Sequence, residues 1–255
     1  MRVAVLADIH GNLPALRAVL SELDAESVDA LVIAGDVVGG PYPLEVLERL
    51  AARPERQLWI SGNSEREAVA AWDGEPVADD EAGRAAAWSA ERLDREWRDR
   101  LDSWPIVAEL GGVLYCHGSP SRDDEVLTRA TPDDVLAEVL SGVGEAVVVG
   151  AHTHQQFIRP VAGGPICINA GSVGVPYEGR PGAFWLIMDR LEPQLRETTY
   201  DIAEGRAELR ASGFPGVEEF IAEALIRPVD AGWVASYFEF GAGRREDPGP
   251  PPGEP

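Results

Sequence analysis

Short apolar runs alternate with amphipathic segments through the first 70 residues. Arg2–Ala7 reads as a strand. Leu13–Leu23 reads as a helix, because Leu13, Leu16, Leu20 and Leu23 recur at helical spacing. Leu31–Ala34 follows as a second strand, Leu44–Ala52 as a second helix and Leu58–Ile60 as a third strand, an alternation that predicts a layered α/β sheet. From Glu65 to about Trp104 the chain is rich in Ala, Arg, Glu and Asp, with Trp72, Trp88, Trp97 and Trp104 interspersed. This stretch reads as helices interrupted near Gly74–Pro76.

Strand patterns resume at Val107–Leu110, Val113–Cys116 and Ala146–Val149, the last two separated by a helix around Pro132–Leu140. Phe157–Pro160, Ile166–Asn169, Phe184–Met188 and Leu195–Tyr200 lie close together, joined by turns containing Gly and Pro, and predict a mixed or antiparallel second sheet. Pro215–Leu225 resembles a C-terminal helix, with Pro215 tolerable in its first turn. Residues 1–240 are expected to form a single domain. From Gly241 onward the chain has too few apolar residues to offset the entropy of ordering, so 241–255 is expected to be a disordered tail.

Composition narrows the function classes. The 44 acidic against 22 basic residues give a net charge of -22, which repels polyanions and speaks against binding to long nucleic acid. No apolar stretch approaches the roughly 20 residues of a membrane helix, and no secretory signal pattern precedes Asp8. The two cysteines, Cys116 and Cys167, sit inside apolar runs and read as buried thiols, so a cytoplasmic location is expected.

Polar residues able to bind metal follow one apolar run after another. Asp8 and His10 follow the first strand, Asp36 the second and Asn63 the third. His117 follows VLYC, and His152 and His154 follow AVVVG. Ligand sites in open α/β sheets form beyond the carboxyl ends of the strands. All four histidines of the chain belong to this set, which a scatter of structural histidines does not explain. Glycines flank the polar positions and permit tight turns. The result is the series D-I-H-G-N, G-D-V-V-G, G-N-S-E, H-G-S and G-A-H-T-H.

This series resembles the calcineurin-like metallophosphoesterase superfamily, and within it the YfcE-type bacterial and archaeal phosphodiesterase branch. The similarity covers roughly residues 1–190, including N-A-G-S-V-G-V-P at 169–176. It implies a four-layer α/β/β/α sandwich with two metal ions between the sheets. Carried over position by position, Asp8, His10 and His154 hold the first metal, Asn63, His117 and His152 the second, and Asp36 bridges them. The mixed nitrogen and oxygen donors suit Mn, with Fe, Ni or Zn as alternatives, better than Ca or Mg. The resemblance implies a metal-dependent phosphoesterase, most readily a phosphodiesterase acting on a small phosphate ester or nucleotide through a metal-bridging hydroxide. Asp36, Asn63 and His117 are then assigned to catalysis, and Asn12, Asn63 and Arg180 to substrate binding.

One motif departs from the wider superfamily. Where many members carry G-N-H-[DE], this chain has Gly62-Asn63-Ser64-Glu65, and a serine hydroxyl supplies no proton near neutral pH. Leaving-group protonation then falls to water, to Glu65 if it points inward, or is not needed because the leaving group is already good. Glu65 also reads as a helix N-terminal carboxylate, and Asn12 as a cap for the helix at Leu13. Arg66, Arg122 and Arg180 are phosphate-clamp candidates or solvated salt bridges. Trp72, Trp88, Trp104 and Tyr177 could wall a nucleobase pocket or pack in the core.

Several readings compete. Within the same fold stand a dinucleoside polyphosphate hydrolase and a protein phosphatase, and outside catalysis stands a binding scaffold, which typically loses metal ligands. Other metallohydrolases fit poorly, since Gln155 and Gln156 follow His154 where a metallo-β-lactamase needs Asp and His. The sequence leaves a homo-oligomer open.

Overall fold

The first strand, β1 (Arg2–Leu6), is buried on both faces. Ala4 and Leu6 enter a cluster with the helix residues Leu16, Val19 and Leu47, while Val3 and Val5 enter a second cluster with Tyr115, Val149 and Ile168. A strand covered on both sides reads as a continuous apolar run and not as an alternation. The same division holds in β2 (Ala30–Ala34), where Leu31 and Ile33 face the helices and Val32 faces the second sheet.

The computed structural model describes residues 1–226 and 229–251. Strands β1, β2 and β3 (Arg56–Ile60) run parallel, connected by α1 (Leu13–Leu23) and α2 (Pro43–Ala51). The helices α3 (Asn63–Trp72), α4 (Glu81–Ala90) and α5 (Arg95–Ser103) follow, with a break that includes Gly74–Pro76. The second sheet takes β4 (Val107–Leu110), β5 (Val113–Cys116), β6 (Val147–Gly150), β7 (Phe157–Pro160) and β8 (Ile166–Asn169) in the order β4-β5-β6-β8-β7, with α6 (Asp133–Val139) before β6. Its outer face packs Cys116, Val148 and Cys167 against Leu136 and Leu140. The layers are therefore α/β/β/α.

Two expectations need correcting. Strands β9 (Ala183–Asp189) and β10 (Glu192–Thr198) do not join the late strands in the second sheet. They extend the first sheet, in the order β10-β9-β1-β2-β3, with β9 antiparallel to β1. Adjacency in sequence misled here because β9 is buried on both faces and can serve either sheet.

The C-terminal region holds more structure than its composition predicts. Helix α7 (Ile202–Ala211) precedes α8 (Val217–Ile221), which continues as a π-helical turn through Ile226, and α9 (Ala231–Gly241) follows. Beyond α9, Arg244 donates to the carboxylate of fully buried Glu239 (2.6 Å), which also accepts from Thr128 (2.7 Å) and Thr131 (2.6 Å). This buried ionic network ties the start of the expected tail to the body; residues 252–255 lie outside the described residues.

Leu16 is fully buried between α1 and the first sheet, whereas Leu195 on the edge strand β10 is 40% exposed. Leu16→Ala is expected to cost about 2–5 kcal/mol and Leu195→Ala less than about 1 kcal/mol. Denaturant midpoints measure both, and equal losses would contradict the layer assignment.

Candidate metal centre

Asp8 and His10 leave the end of β1, Asp36 leaves β2, and Asn63 opens α3 directly after β3. His117 follows β5, and His152 and His154 follow β6. Because β1–β3 are parallel in one sheet and β5 and β6 in the other, their carboxyl ends deliver these residues to one edge of the sandwich. Backbone bonds lace the loops together: Asp8 N–H donates to Gly35 (3.1 Å), His10 N–H to Asp36 (2.9 Å), Ala151 N–H to His117 (2.8 Å) and Gly174 N–H to Asp8 (2.9 Å).

The backbone here is strained. Among the described residues, six non-glycine positions have positive φ, and five of them are Asp8, His10, Asp36, His152 and His154, at 46° to 66°. Left-handed backbone costs an ordinary residue about 1 kcal/mol or more. Its concentration in these residues marks a site built for the direction of its side chains. Two glycines make the close approach feasible. A Cβ on Gly174 would stand 1.9 Å from the Ile9 carbonyl oxygen, and one on Gly62 would stand 2.2 Å from Asp36 Oδ1.

Ligand atoms of Asp8, His10 and His154 lie within 4.8 Å of one another, as do those of Asp36, His117 and His152. Asp36 Oδ2 stands 3.6 Å from His10 Nε2 and 3.3 Å from His117 Nε2, between the two groups. His117 Nδ1–H donates to the Ala34 carbonyl (2.8 Å) and His154 Nδ1–H to that of Val175 (2.6 Å), which turns each Nε2 toward the carboxylates. Asp8 Oδ1, Asn63 Oδ1 and His117 Nε2 are buried without a hydrogen-bond partner. Buried polar atoms without a partner are costly, and cations would satisfy them, so this donor set fits two metal ions.

Burial alone would depress His117, but the Asp36 and Asp8 carboxylates push it up to about 10. His154 is likewise lowered by burial and raised by Asp8, with a net upward shift. His152 falls to about 4 through burial and the neighbouring His117 charge, and burial also lowers His10 despite Asp36. Burial raises Asp36, yet His117 outweighs it and holds the carboxyl far below its ordinary range.

Glu65 does not point into the site. Fully buried, it accepts the N–H groups of Asp36 (2.8 Å), Val37 (2.8 Å), Val38 (3.2 Å) and Gly62 (2.8 Å), and so clamps the turn carrying Asp36 to the start of α3. Asn12, expected either at the substrate or as a helix cap, is fully buried, its Oδ1 accepts from Ala15 N–H (3.2 Å) at the start of α1, and its Nδ2 donates to Gly174 (2.8 Å), the bonds of a cap. Arg180, expected at the substrate or in a solvated salt bridge, lies half-exposed against Glu197 (2.7 Å). Arg66 and Arg122 pair in the same way with Asp123 and Asp124.

Beside the centre lies a cavity of about 250 Å³ bounded by His10, Asn63, Ser64 and His154. Its lining also includes Tyr177, Phe214 and Phe220, with Glu67, Glu81 and Glu223. Trp72 and Trp104 pack on the first core instead, and Trp88 donates to the Pro41 carbonyl (3.2 Å). No spacing links these cavity residues in sequence, which is why the motifs left most of them unnoticed.

Glu65→Gln offers one acceptor oxygen where four N–H groups need two, and sets an amide against the rest. It is expected to destabilise the protein by about 2–4 kcal/mol and to weaken metal binding, since Asp36 loses its support. Thermal melting and calorimetric metal titration measure the two effects; unchanged metal affinity would remove Glu65 from the site's scaffold.

The family model for calcineurin-like phosphoesterases matches residues 1–156. The protein MJ0912 of Methanocaldococcus jannaschii, described as uncharacterized, is 27% identical over 246 residues, spanning 88% of this chain and 96% of its own. The crystal structure of a metallophosphoesterase from Sphaerobacter thermophilus matches with a TM-score of 0.69 and 26% identity, over 88% of this chain and 99% of that one. The hypothetical protein PH1004 of Pyrococcus horikoshii matches with a TM-score of 0.75 and 25% identity, over 90% and 99%. The strand-end residues, the layered sandwich and the family match agree: the chain belongs to the calcineurin-like phosphoesterase family.

Proposed function

We propose that the chain is a dinuclear metal-dependent phosphodiesterase acting on a small phosphate ester in the cytoplasm. The carrying observation is the convergence of Asp8, His10, Asp36, His117, His152 and His154 into two adjoining ligand groups, with Asp36 between them. In this reading Asp8, His10 and His154 would hold one cation and Asn63, His117 and His152 the other, with Asp36 placed between the two groups. Manganese is the expected metal, and iron, nickel and zinc suit the same donors. A bound pair supplies positive charge for the phosphoryl oxygens and acidifies water. The buried free thiols Cys116 and Cys167 fit a reducing compartment, and among the described residues no helix is long and apolar enough to cross a membrane.

The chain's own residues set the rest of the chemistry. The carbonyls of Ala34 and Val175 hold the His117 and His154 rings in one tautomer, which leaves each Nε2 free to ligate. Ser64 stands where a proton donor for the leaving group is found in other members of the superfamily. Glu65 cannot replace it, because its carboxylate is engaged by four backbone N–H groups. Esters with leaving groups of low pKa are therefore the preferred substrates.

Turnover of bis-p-nitrophenyl phosphate by manganese-loaded protein is the expected outcome, with Asp36→Asn lowering kcat/KM at least about a hundredfold. Across aryl diesters the rate should fall steeply as leaving-group pKa rises. A flat dependence would mean an efficient general acid is present, and no turnover with manganese, iron, nickel or zinc would favour a scaffold.

The protonation pattern provides a second test. His117 is raised above 6.5 to about 10, so at neutral pH the metal-free protein holds that proton and must release it when His117 ligates. Apparent metal affinity should rise with pH through the neutral range toward 10. Titration calorimetry in buffers of different ionisation enthalpy reads the proton release; its absence would exclude His117 as a ligand.

A further inference from the structure

The cavity beside the metal centre has a consistent chemistry in the rest of its lining. Tyr177, Phe214 and Phe220 present aromatic surface, Ala85 and Ala86 keep the floor small and apolar, and Glu67, Glu81 and Glu223 bring three carboxylates. Among the described residues none of these carboxylates has an ion-pair partner, and no arginine lines the cavity. Burial and the neighbouring Glu223 charge push the Glu81 carboxyl up, against a smaller opposing pull from Arg84.

The cavity is joined to the metal centre by shared walls. His154, itself mostly buried, and Asn63, whose buried Oδ1 has no partner, line it together with His10. The Tyr177 ring stacks on the His154 imidazole at 4.9 Å between centroids, and its hydroxyl donates to Glu223. Tyr177 therefore links the His154 wall of the centre to Glu223.

An anionic or polyphosphate substituent is repelled by such a wall. A neutral alkyl group would leave the summed negative charge of the carboxylates uncompensated in a partly desolvated space. An ammonium group answers both features at once, since aromatic faces and carboxylates each attract a cation. We infer that this cavity binds the cationic end of a short alkylammonium group esterified to the phosphate, so that the substrate class is an alkylammonium phosphodiester. The inference rests on the phosphodiesterase reading above and narrows it.

Two diesters with the same leaving group test it: p-nitrophenyl phosphorylcholine, and p-nitrophenyl 3,3-dimethylbutyl phosphate, in which carbon replaces the charged nitrogen without changing shape. With manganese-loaded full-length protein, kcat/KM is expected to favour the cationic diester by at least about tenfold. The preference should fall toward one in the Glu81→Gln, Glu223→Gln double variant, whose fold is checked by thermal melting. If that variant does not fold, Glu81→Gln alone, at the exposed mouth of the cavity, is expected to reduce the preference severalfold. Equal wild-type rates for the two diesters, or a preference that survives loss of the carboxylates, would overturn the inference while leaving the phosphodiesterase reading intact. Turnover of neither diester, nor of bis-p-nitrophenyl phosphate, with any of the four metals would instead remove the phosphodiesterase reading itself.

Discussion

Two carboxylates, Asp8 and Asp36, are placed where bulk water hardly reaches, and the surrounding structure follows from what their charges require. Asp8 is fully buried and Asp36 nearly so. An isolated carboxylate in such a place would take up a proton to escape the desolvation cost. Here His117 stands 3.3 Å from Asp36 and His154 stands 3.3 Å from Asp8, and their raised pKa values express the attraction. Protons on imidazole thus balance in the metal-free protein the same charges that cations would balance. Such an arrangement needs rigid support, because a buried pair pulled slightly apart leaves both charges exposed to a poor dielectric. The two sheets supply that support, and the left-handed turns at Asp8, His10, Asp36, His152 and His154 are held by it.

The sequence signals that survived into the structure are those written by local geometry. Strand-end placement of Asp8, Asp36 and His117 was legible because a buried strand reads as an apolar run and its first polar residue marks the exit. Helices α1 and α2 were legible from their apolar spacing. What local pattern could not carry was the assignment of strands to sheets. In β9 every residue from Ala183 to Met188 is buried, so its side chains do not declare a sheet, and only pairing with β1 decides it. Of the C-terminal helices, the segment expected at Pro215–Leu225 is found as α8 and its π-helical turn, whereas α7 and α9 were missed for a related reason: α7 has few apolar residues and is secured by contacts such as Arg17 with Glu208, far apart in sequence.

The same distinction runs through the site. Asn12 sits one residue after the D-I-H-G motif, which made a ligand contact and a helix cap indistinguishable in sequence; the structure gives both ends of its amide to the backbone. Arg180 follows the G-S-V-G-V-P segment closely, but a nearby carboxylate on β10 captures its guanidinium. Proximity in sequence to a motif says little about a long side chain, which goes to the strongest accessible partner. Glu65 shows the opposite case. As a helix N-terminal carboxylate it was read correctly, but its reach to the turn at Asp36–Val38 needs the two segments to meet in space.

The absence of a histidine at position 64 and the chemistry of the adjoining cavity bear on each other. Without a proton donor there, discrimination between substrates cannot come from help given to a poor leaving group and must come from binding the rest of the ester. The protein carries a net charge of -22, so an anion approaches this surface against a repulsion that metal ions at the centre would relieve. A substrate of the proposed class would bring its own compensation, with its phosphate toward the centre and its ammonium toward Glu81 and Glu223. Charge then orients the molecule along the axis that Tyr177 marks between His154 and Glu223. Orientation of this kind would raise the rate of the proposed hydrolysis even without a general acid, since alignment of the reacting groups lowers the barrier independently of proton transfer.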